Sequence, residues 1–172
     1  ESLKAPVHVY ALVERGAEDR QLLELLARYA ALSRQFTYET VDIAQNPGLA
    51  RKYQGTGDEA LQSDSLIVTC EATGRYKLLS PESFVTLGYD VDAGSYRISG
   101  LRYEKLLTEA VVFVTSESIP VIQVLTGHGE ITGESLATFT EFLAGCNYQV
   151  EEARLLSGGT LNPDALLMIL SP

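Results

Sequence analysis

The chain has 172 residues and carries 13 lysine and arginine residues against 23 aspartate and glutamate residues, a formal net charge of −10. This balance argues against binding to nucleic acid or to an anionic membrane surface through bulk charge. Hydrophobic residues make up 45% and charged residues 21% of the sequence, as in folded globular proteins. The longest apolar runs are far shorter than the roughly 20 residues of a membrane-spanning helix.

The N-terminus does not resemble a signal peptide, because residues 1–4 lack a basic start and an apolar core. A cytosolic protein or a soluble fragment of a longer one would fit this pattern. The chain begins with Glu1 rather than Met, and this favours a fragment or a processed chain.

Cysteine and histidine usage predicts no metal site and no redox motif. Cys70 and Cys146 are far apart, and together with His8 and His128 they show no ligand-like spacing. Each cysteine is predicted to be a small buried apolar residue, although the sequence also allows a disulfide.

In the first half, strands are predicted to alternate with helices. Strands are expected at 7–13, where valines alternate, and at 36–43, with a hairpin of strands at 65–71 and 76–79. A short helix is expected from Asn46-Pro47 to Tyr53. The longer helix after Gly16 has an apolar face made of Leu22, Leu25, Leu26, Tyr29 and Leu32.

This order, β-α-β-α-β-β, is typical of a thioredoxin-like domain, which we place at residues 1–87. A redox enzyme of that fold carries a Cys-x-x-Cys motif just after the first strand. Residues 14–19 occupy this place and contain no cysteine. Without a thiolate there is no nucleophile for disulfide exchange, so the scaffold is predicted to serve shape or binding.

Residues 88–100 are predicted to form a linker or an exposed hairpin, and residues 101–172 a second domain. Helices are expected at 101–116 and 134–146, and strands at 121–125, 148–156 and 165–170. The second helix is predicted to bury Leu136, Phe139, Phe142, Leu143 and Cys146. The run 165–170 is wholly apolar, which suits a central parallel strand covered on both faces. We therefore predict a partial Rossmann- or flavodoxin-like (amidotransferase-like) domain whose sheet is completed elsewhere, so that the whole chain is of the α/β class.

The loop after the strand at 121–125 is the candidate site. It consists of Thr126, Gly127, His128, Gly129 and Glu130 and leads into a helical stretch. Binding groups in α/β proteins commonly lie where a strand meets such a loop. Acid–base catalysis by His128 and Glu130 would need a nucleophile or a water in a shared pocket, and the sequence has no nucleophile elbow. We predict no catalytic residue and regard the five residues as a candidate ligand- or partner-binding site, the alternative being a tight turn built by the two glycines.

Three parts of the sequence together resemble a known family. They are residues 101–115 with 121–125 and the Thr-Gly-His-Gly-Glu loop; residues 29–33, 39–42 and 46–53; and residues 162–172. In these parts the chain resembles the GldG-type auxiliary component of ABC transporters, first associated with gliding motility and found in uncharacterised transport systems.

The resemblance implies a thioredoxin-like half followed by an amidotransferase- or flavodoxin-like half. It also implies an extracytoplasmic domain held at the membrane by segments outside this sequence, beside a permease and an ATPase. It supplies no transported substrate.

We therefore predict a non-catalytic extracytoplasmic domain of an ABC-transporter-associated membrane protein. Its expected role is complex assembly, partner contact or substrate handling, with no cofactor. One alternative is a hydrolase or amidotransferase-like enzyme that uses His128 and Glu130. Another is a carbohydrate-binding module, which would use exposed rings among the nine tyrosines of the chain.

Overall fold

The computed structural model of the chain describes residues 3–14, 16, 18–53, 61–127, 129–130 and 134–170. The chain divides into two compact units, Glu1–Ser116 (unit 1) and Glu117–Pro172 (unit 2). Helices and strands occur in both, so the predicted mixed α/β class is confirmed. Among the described helices, none is both long enough and apolar enough to cross a membrane.

Unit 1 is built on a sheet whose described strands are β1 (Val7–Val13), β2 (Phe36–Asp42), β3 (Leu66–Cys70) and β4 (Arg75–Leu79). Their order in the sheet is β2-β1-β3-β4. β1 and β2 are parallel, because helix α1 (Arg20–Leu32) carries the chain back between them. β3 is antiparallel to β1 and pairs with β4 as a hairpin. The predicted element order of this part is therefore confirmed.

The two faces of this sheet are covered differently. On one face, Val7, Val9 and Val68 pack with α1 and with α3 (Tyr103–Thr115). On the other, Leu12, Val41 and Ile67 pack with Tyr53 of the short helix α2 (Pro47–Tyr53). The alternation of side chains along each strand produces this division. Leu32, predicted on the buried face of α1, is instead 85% exposed, because the helix ends there beyond the edge of the core.

Helix α3 belongs to unit 1, and this corrects the predicted domain boundaries at residues 87 and 101. Leu107, Ala110 and Val114 are fully buried in the core of unit 1. α3 packs on β3 and β4, and the Thr73 hydroxyl donates a hydrogen bond to the Val114 carbonyl at 2.5 Å. The sequence order alone does not reveal which sheet a helix covers, so the prediction assigned this helix to the wrong unit.

Residues 85–101 form an antiparallel ribbon of β5 (Val85–Asp90) and β6 (Ser95–Leu101), after a 3₁₀ turn at Pro81–Phe84. The hairpin expected at 88–100 is confirmed, with strands that start earlier and end later. Leu87 lies opposite Ile98, and Tyr89 lies opposite Tyr96. These four side chains are between 57% and 72% exposed, so the ribbon presents an uncovered apolar face.

Unit 2 contains β7 (Val121–Leu125), α4 (Glu134–Gly145), β8 (Gln149–Ala153), a 3₁₀ turn (Leu155–Ser157) and β9 (Leu166–Met168). Its described strands are all parallel, in the order β8-β7-β9. The buried core comprises Ile122, Val124 and Leu143, with Leu136, Val150 and Met168 partly buried against it. β7 is the central strand of the three, and its middle residues Ile122–Val124 are buried.

Two expectations for unit 2 are wrong. The apolar run at 165–170 forms an edge strand rather than a central one, and Leu166 is 62% exposed. Phe142 is 64% exposed, Phe139 is 38% exposed and Cys146 is also exposed, because α4 covers the small sheet mainly through Leu143. Both cysteines are free; Cys70 is buried as predicted and Cys146 is not.

Candidate functional site

The predicted loop lies at the carboxyl end of β7, the central strand of unit 2. The Thr126 N–H donates to the Ala153 carbonyl at 3.0 Å, which ties the start of the loop to the end of β8. Gly127 and Gly129 have φ angles of 115° and 96°, in the region that side chains with a Cβ rarely adopt. The glycines are therefore required by the turn itself. His128 lies outside the described residues.

Two polar side chains of the loop are buried. Thr126 is 5% exposed and Glu130 is 7% exposed, whereas Gly127 and Gly129 are exposed. Glu130 is engaged in an interaction with another group of the protein. Among the described residues, no group pairs with the Thr126 hydroxyl oxygen. A buried hydroxyl without a partner is unfavourable by about 1–3 kcal/mol, so the Thr126 hydroxyl has bonding capacity that the described residues do not use.

Thr126 lines a cavity of about 240 Å³ whose other lining residues come from β7, β8 and α4, and its hydroxyl oxygen is itself buried. Val124, Leu136 and Val150 supply apolar walls, and Thr140 adds a second hydroxyl. The Glu152 carboxylate at the rim is paired with the Arg154 guanidinium at 2.6 Å. The arrangement can hold a small polar molecule. In the described part of the chain, no group of three or more His, Cys, Asp or Glu side chains could hold a metal ion.

A larger groove, which the sequence did not reveal, lies in unit 1. It has a volume of about 790 Å³ and lies on the sheet face that α2 covers only in part. α2 packs over the Leu12 end of β1 and leaves the His8 end open. This cavity, the tyrosine groove, is lined by residues that include His8, Tyr10, Thr37, Tyr53, Thr69 and Tyr76.

The floor of the tyrosine groove carries a hydrogen-bonded chain of side chains. His8 Nδ1 lies 2.8 Å from the Thr37 hydroxyl, and His8 Nε2 lies 3.3 Å from the Glu39 carboxylate. The Thr69 hydroxyl donates to the His8 carbonyl at 2.9 Å. His8 is held on both ring nitrogens, so its orientation is defined. A hydroxyl, an imidazole and a carboxylate in a row also occur in catalytic triads. Here the three groups are neighbours on β1 and β2, two strands that pair with each other through their backbone groups.

The aromatic rings of the groove form a continuous row. Ring centroids are 4.6 Å apart for His8 and Tyr10, 5.9 Å for Tyr10 and Tyr53, and 5.1 Å for Tyr53 and Tyr76. Lys52 Nζ lies 4.8 Å from the centre of the Tyr53 ring. Partial burial, followed by the neighbouring Tyr53 and Glu39, raises the pKa of Tyr10, which keeps its hydroxyl protonated.

The sequence signal for this row is incomplete. His8 and Tyr10 share one face of β1 by their spacing, and this much the sequence indicates. Thr37 joins them because β1 and β2 pair His8 with Thr37, and Tyr76 joins through its pairing with Thr69. These registers link residues that are far apart in the chain, which a single sequence does not report.

A third cluster lies at the N-terminus of α1. Asp19 Oδ1 accepts the N–H groups of Gln21 and Leu22 at 2.9 and 3.2 Å and so caps the helix. The Tyr103 hydroxyl donates to Asp19 Oδ2 at 2.6 Å. Burial, then the hydrogen bond to Asp19 and its charge, raise the pKa of Tyr103 to about 12. Burial and then the Asp19 carboxylate also raise the pKa of Asp64.

No family model matches the sequence, and comparisons with curated proteins and with solved structures find no significant match.

Proposed function

We propose that the chain is a non-catalytic binding domain of an ABC-transporter-associated membrane protein of the GldG type. In this proposal it lies on the extracytoplasmic face of the cell membrane, held there by segments outside this sequence. It works beside the permease and ATPase subunits of the transporter, in complex assembly, partner contact or substrate handling.

The strand arrangement of unit 1 supports the thioredoxin-like half of this proposal. The order β2-β1-β3-β4, with a parallel β1–β2 pair and an antiparallel β3–β4 hairpin, agrees with that fold. Helices α1 and α3 on one face and α2 on the other agree with it as well. For unit 2, three parallel strands and the helix between β7 and β8 are compatible with a partial flavodoxin-like domain.

The observation that carries the non-catalytic assignment is the use made of Asp19. At the start of α1, where the proposed fold would use a thiolate, the Asp19 carboxylate caps the helix and accepts the Tyr103 hydroxyl. Both carboxylate oxygens are thus engaged in holding elements of unit 1 together. Cys70 is buried in the core of unit 1, away from this position in the fold. In this proposal the start of α1 serves as a structural contact rather than as a place for redox chemistry.

The loop at the end of β7 is the proposed contact for a partner or a small ligand. Its two glycines are exposed and have positive φ, and Thr126, whose buried hydroxyl has no partner among the described residues, lines the cavity. The alternative, a hydrolase using His128 and Glu130, would need a catalytic carboxylate open to substrate. Glu130 is 7% exposed and already engaged, which favours binding over catalysis.

The proposal is tested first by the complete reading frame and its genomic neighbours. Membrane-spanning segments in the frame, with a permease and an ATPase encoded beside it, are expected. A frame without such segments and without transporter genes nearby would overturn the assignment.

The second test concerns the loop. The tagged full-length protein is purified with the neighbouring permease and ATPase, and the Gly129→Ala variant is compared with Gly16→Ala. Gly129 and Gly16 have φ angles of 96° and 90° and open space where a Cβ would lie, so the two variants carry a similar local strain. Recovery of the transporter subunits should fall for Gly129→Ala only. Equal recovery would show that the loop does not contact these partners, and ester or amide hydrolysis abolished by His128→Ala would favour the enzyme.

A further inference from the structure

We infer that the tyrosine groove of unit 1 is a binding site for a neutral saccharide. The inference is independent of the proposed transporter role, since it rests on the groove in unit 1 and not on the loop in unit 2. The volume of about 790 Å³ lies within the range of roughly 300–1,000 Å³ that is common for small-molecule sites.

The position of the groove on a sheet face decides which kind of contact it can offer. Its floor consists of side chains from β1, β2, β3 and β4 that project from one face of the sheet. An extended peptide is usually captured through free backbone N–H and C=O groups at a sheet edge. This face offers rings and hydroxyl groups instead. A ligand on this face is therefore recognised mainly through side chains.

The charges around the groove favour a neutral ligand. Lys52 and Arg75 supply two positive charges, and Glu71 and the adjacent Glu39 supply two negative ones. The Arg75 guanidinium donates to the Ser116 carbonyl, and Lys52 lies over the Tyr53 ring. Neither cation is arranged as an anion clamp, and the acidic side chains oppose one. In a chain of net charge −10, this balance is local to the groove.

The lining combines the two contacts that a sugar requires. A pyranose has an apolar face of C–H groups and an equatorial rim of hydroxyls, so it suits an aromatic ring next to hydrogen-bonding side chains. The Tyr76 ring is 39% exposed at the side of the groove. Thr37, Thr69 and His8 lie on the floor, with the imidazole fixed by Thr37 and Glu39. Tyr53 of α2 is 7% exposed and contacts the rings of Tyr10 and Tyr76.

The experiment is a titration of the ¹⁵N-labelled 172-residue chain with cellobiose, maltose and N,N′-diacetylchitobiose, followed by amide chemical shifts and calorimetry. Glucuronic acid and glucosamine are the charged comparison ligands. At least one neutral disaccharide should bind with a dissociation constant of about 1 mM or below, on the order of simple non-covalent ligands. The shifted amides should belong to β1, β4 and the end of α2.

Two variants separate the groove from other tyrosines. Tyr76→Ala should weaken binding about tenfold, the usual size of a contact made by an aromatic anchor, and Tyr76→Phe should retain most of it. Tyr96→Ala is the matched control, because Tyr96 is 72% exposed on the ribbon and lies outside the groove. Its affinity should equal that of the wild type. Circular dichroism of each variant confirms that unit 1 is folded.

Three results would overturn the inference. The first is the absence of any shift with the three neutral disaccharides at ~50 mM, about 50 times the expected dissociation constant. The second is a set of shifts that lies on the ribbon or in unit 2, or an equal loss for Tyr96→Ala and Tyr76→Ala. The third is tighter binding of glucuronic acid or glucosamine than of every neutral disaccharide, which would identify a charge-selective site.

Discussion

Replacement of Leu107 by alanine tests whether α3 is part of unit 1. The Leu107 side chain is fully buried and packs in the core of that unit. Leu107→Ala removes three carbon atoms, whose transfer from water contributes about 0.8 kcal/mol each, or about 2.4 kcal/mol in total. The cavity left behind adds to this, because cores relax only partly. We therefore expect unit 1 to lose about 3 kcal/mol of its free energy of unfolding.

The matched control is Val112→Ala in the same helix. Val112 is 56% exposed, so its replacement should change the free energy of unfolding by no more than about 0.5 kcal/mol. Urea denaturation followed by circular dichroism gives the overall stability. Amide hydrogen exchange, resolved by NMR, then shows which strands lose protection.

The location of the loss decides the question. In Leu107→Ala, amides of β1 and β3 should exchange faster, because these strands pack against α3. If β7 and β8 lost protection while β1 and β3 kept theirs, α3 would belong with unit 2 and the division after Ser116 would be refuted. A loss below about 1 kcal/mol would likewise contradict the burial of Leu107.

Two further predictions concern single hydroxyl groups. The folded state raises the pKa of Tyr103 to about 12, so the protonated phenol stabilises the fold fully below pH ~10 and this contribution is lost as the pH rises towards 12. Tyr103→Phe should remove this pH dependence and lower the free energy of unfolding by about 1.5–3 kcal/mol at pH 8. Urea denaturation between pH 8 and 11 measures both effects. An unchanged alkaline profile in the variant would contradict the Asp19 contact. Thr126→Val replaces the buried unpaired hydroxyl by a methyl group and should raise the thermal midpoint of unfolding by the equivalent of about 1 kcal/mol. Thr126→Ser keeps the hydroxyl and should not raise it. A lower midpoint for the valine variant would show that the hydroxyl has a hydrogen-bond partner.

Local patterns predicted the elements of unit 1 well. The alternating valines placed β1 at residues 7–13, the observed range Val7–Val13, because one period-two stripe faces α1 and α3. Asn46-Pro47 likewise placed the start of α2 at Pro47. These signals depend only on neighbouring residues, which a sequence reports directly.

The failures concern what covers an element. The run at 165–170 has the composition of a central strand, yet among the described strands β9 pairs with β7 alone, and Leu166 is exposed. Phe142 lies on the predicted apolar stripe of α4, but the sheet beneath is too narrow to bury it. The composition of a segment indicates whether its side chains could be buried. Whether they are buried depends on neighbours from distant parts of the chain.

The candidate sites divide in the same way. The loop from Thr126 to Glu130 was identified from one contiguous stretch, and its two glycines do have the positive φ that a tight turn requires. The tyrosine groove depends on pairings such as His8 with Thr37 and Thr69 with Tyr76, which come from the sheet register. Its residues therefore looked like separate packing residues in the sequence.

The ribbon of β5 and β6 has a consequence for how this chain can change. Its entry and exit are one hydrogen bond apart, since the Arg102 N–H donates to the Phe84 carbonyl at 2.8 Å. The apolar side chains Leu87, Tyr89, Tyr96 and Ile98 take no part in the core clusters of the described residues. The ribbon is thus a peripheral insertion between β4 and α3. We expect the turn between β5 and β6 to tolerate insertions while Phe84 and Tyr103 keep their places, which makes it a suitable position for a genetically encoded label.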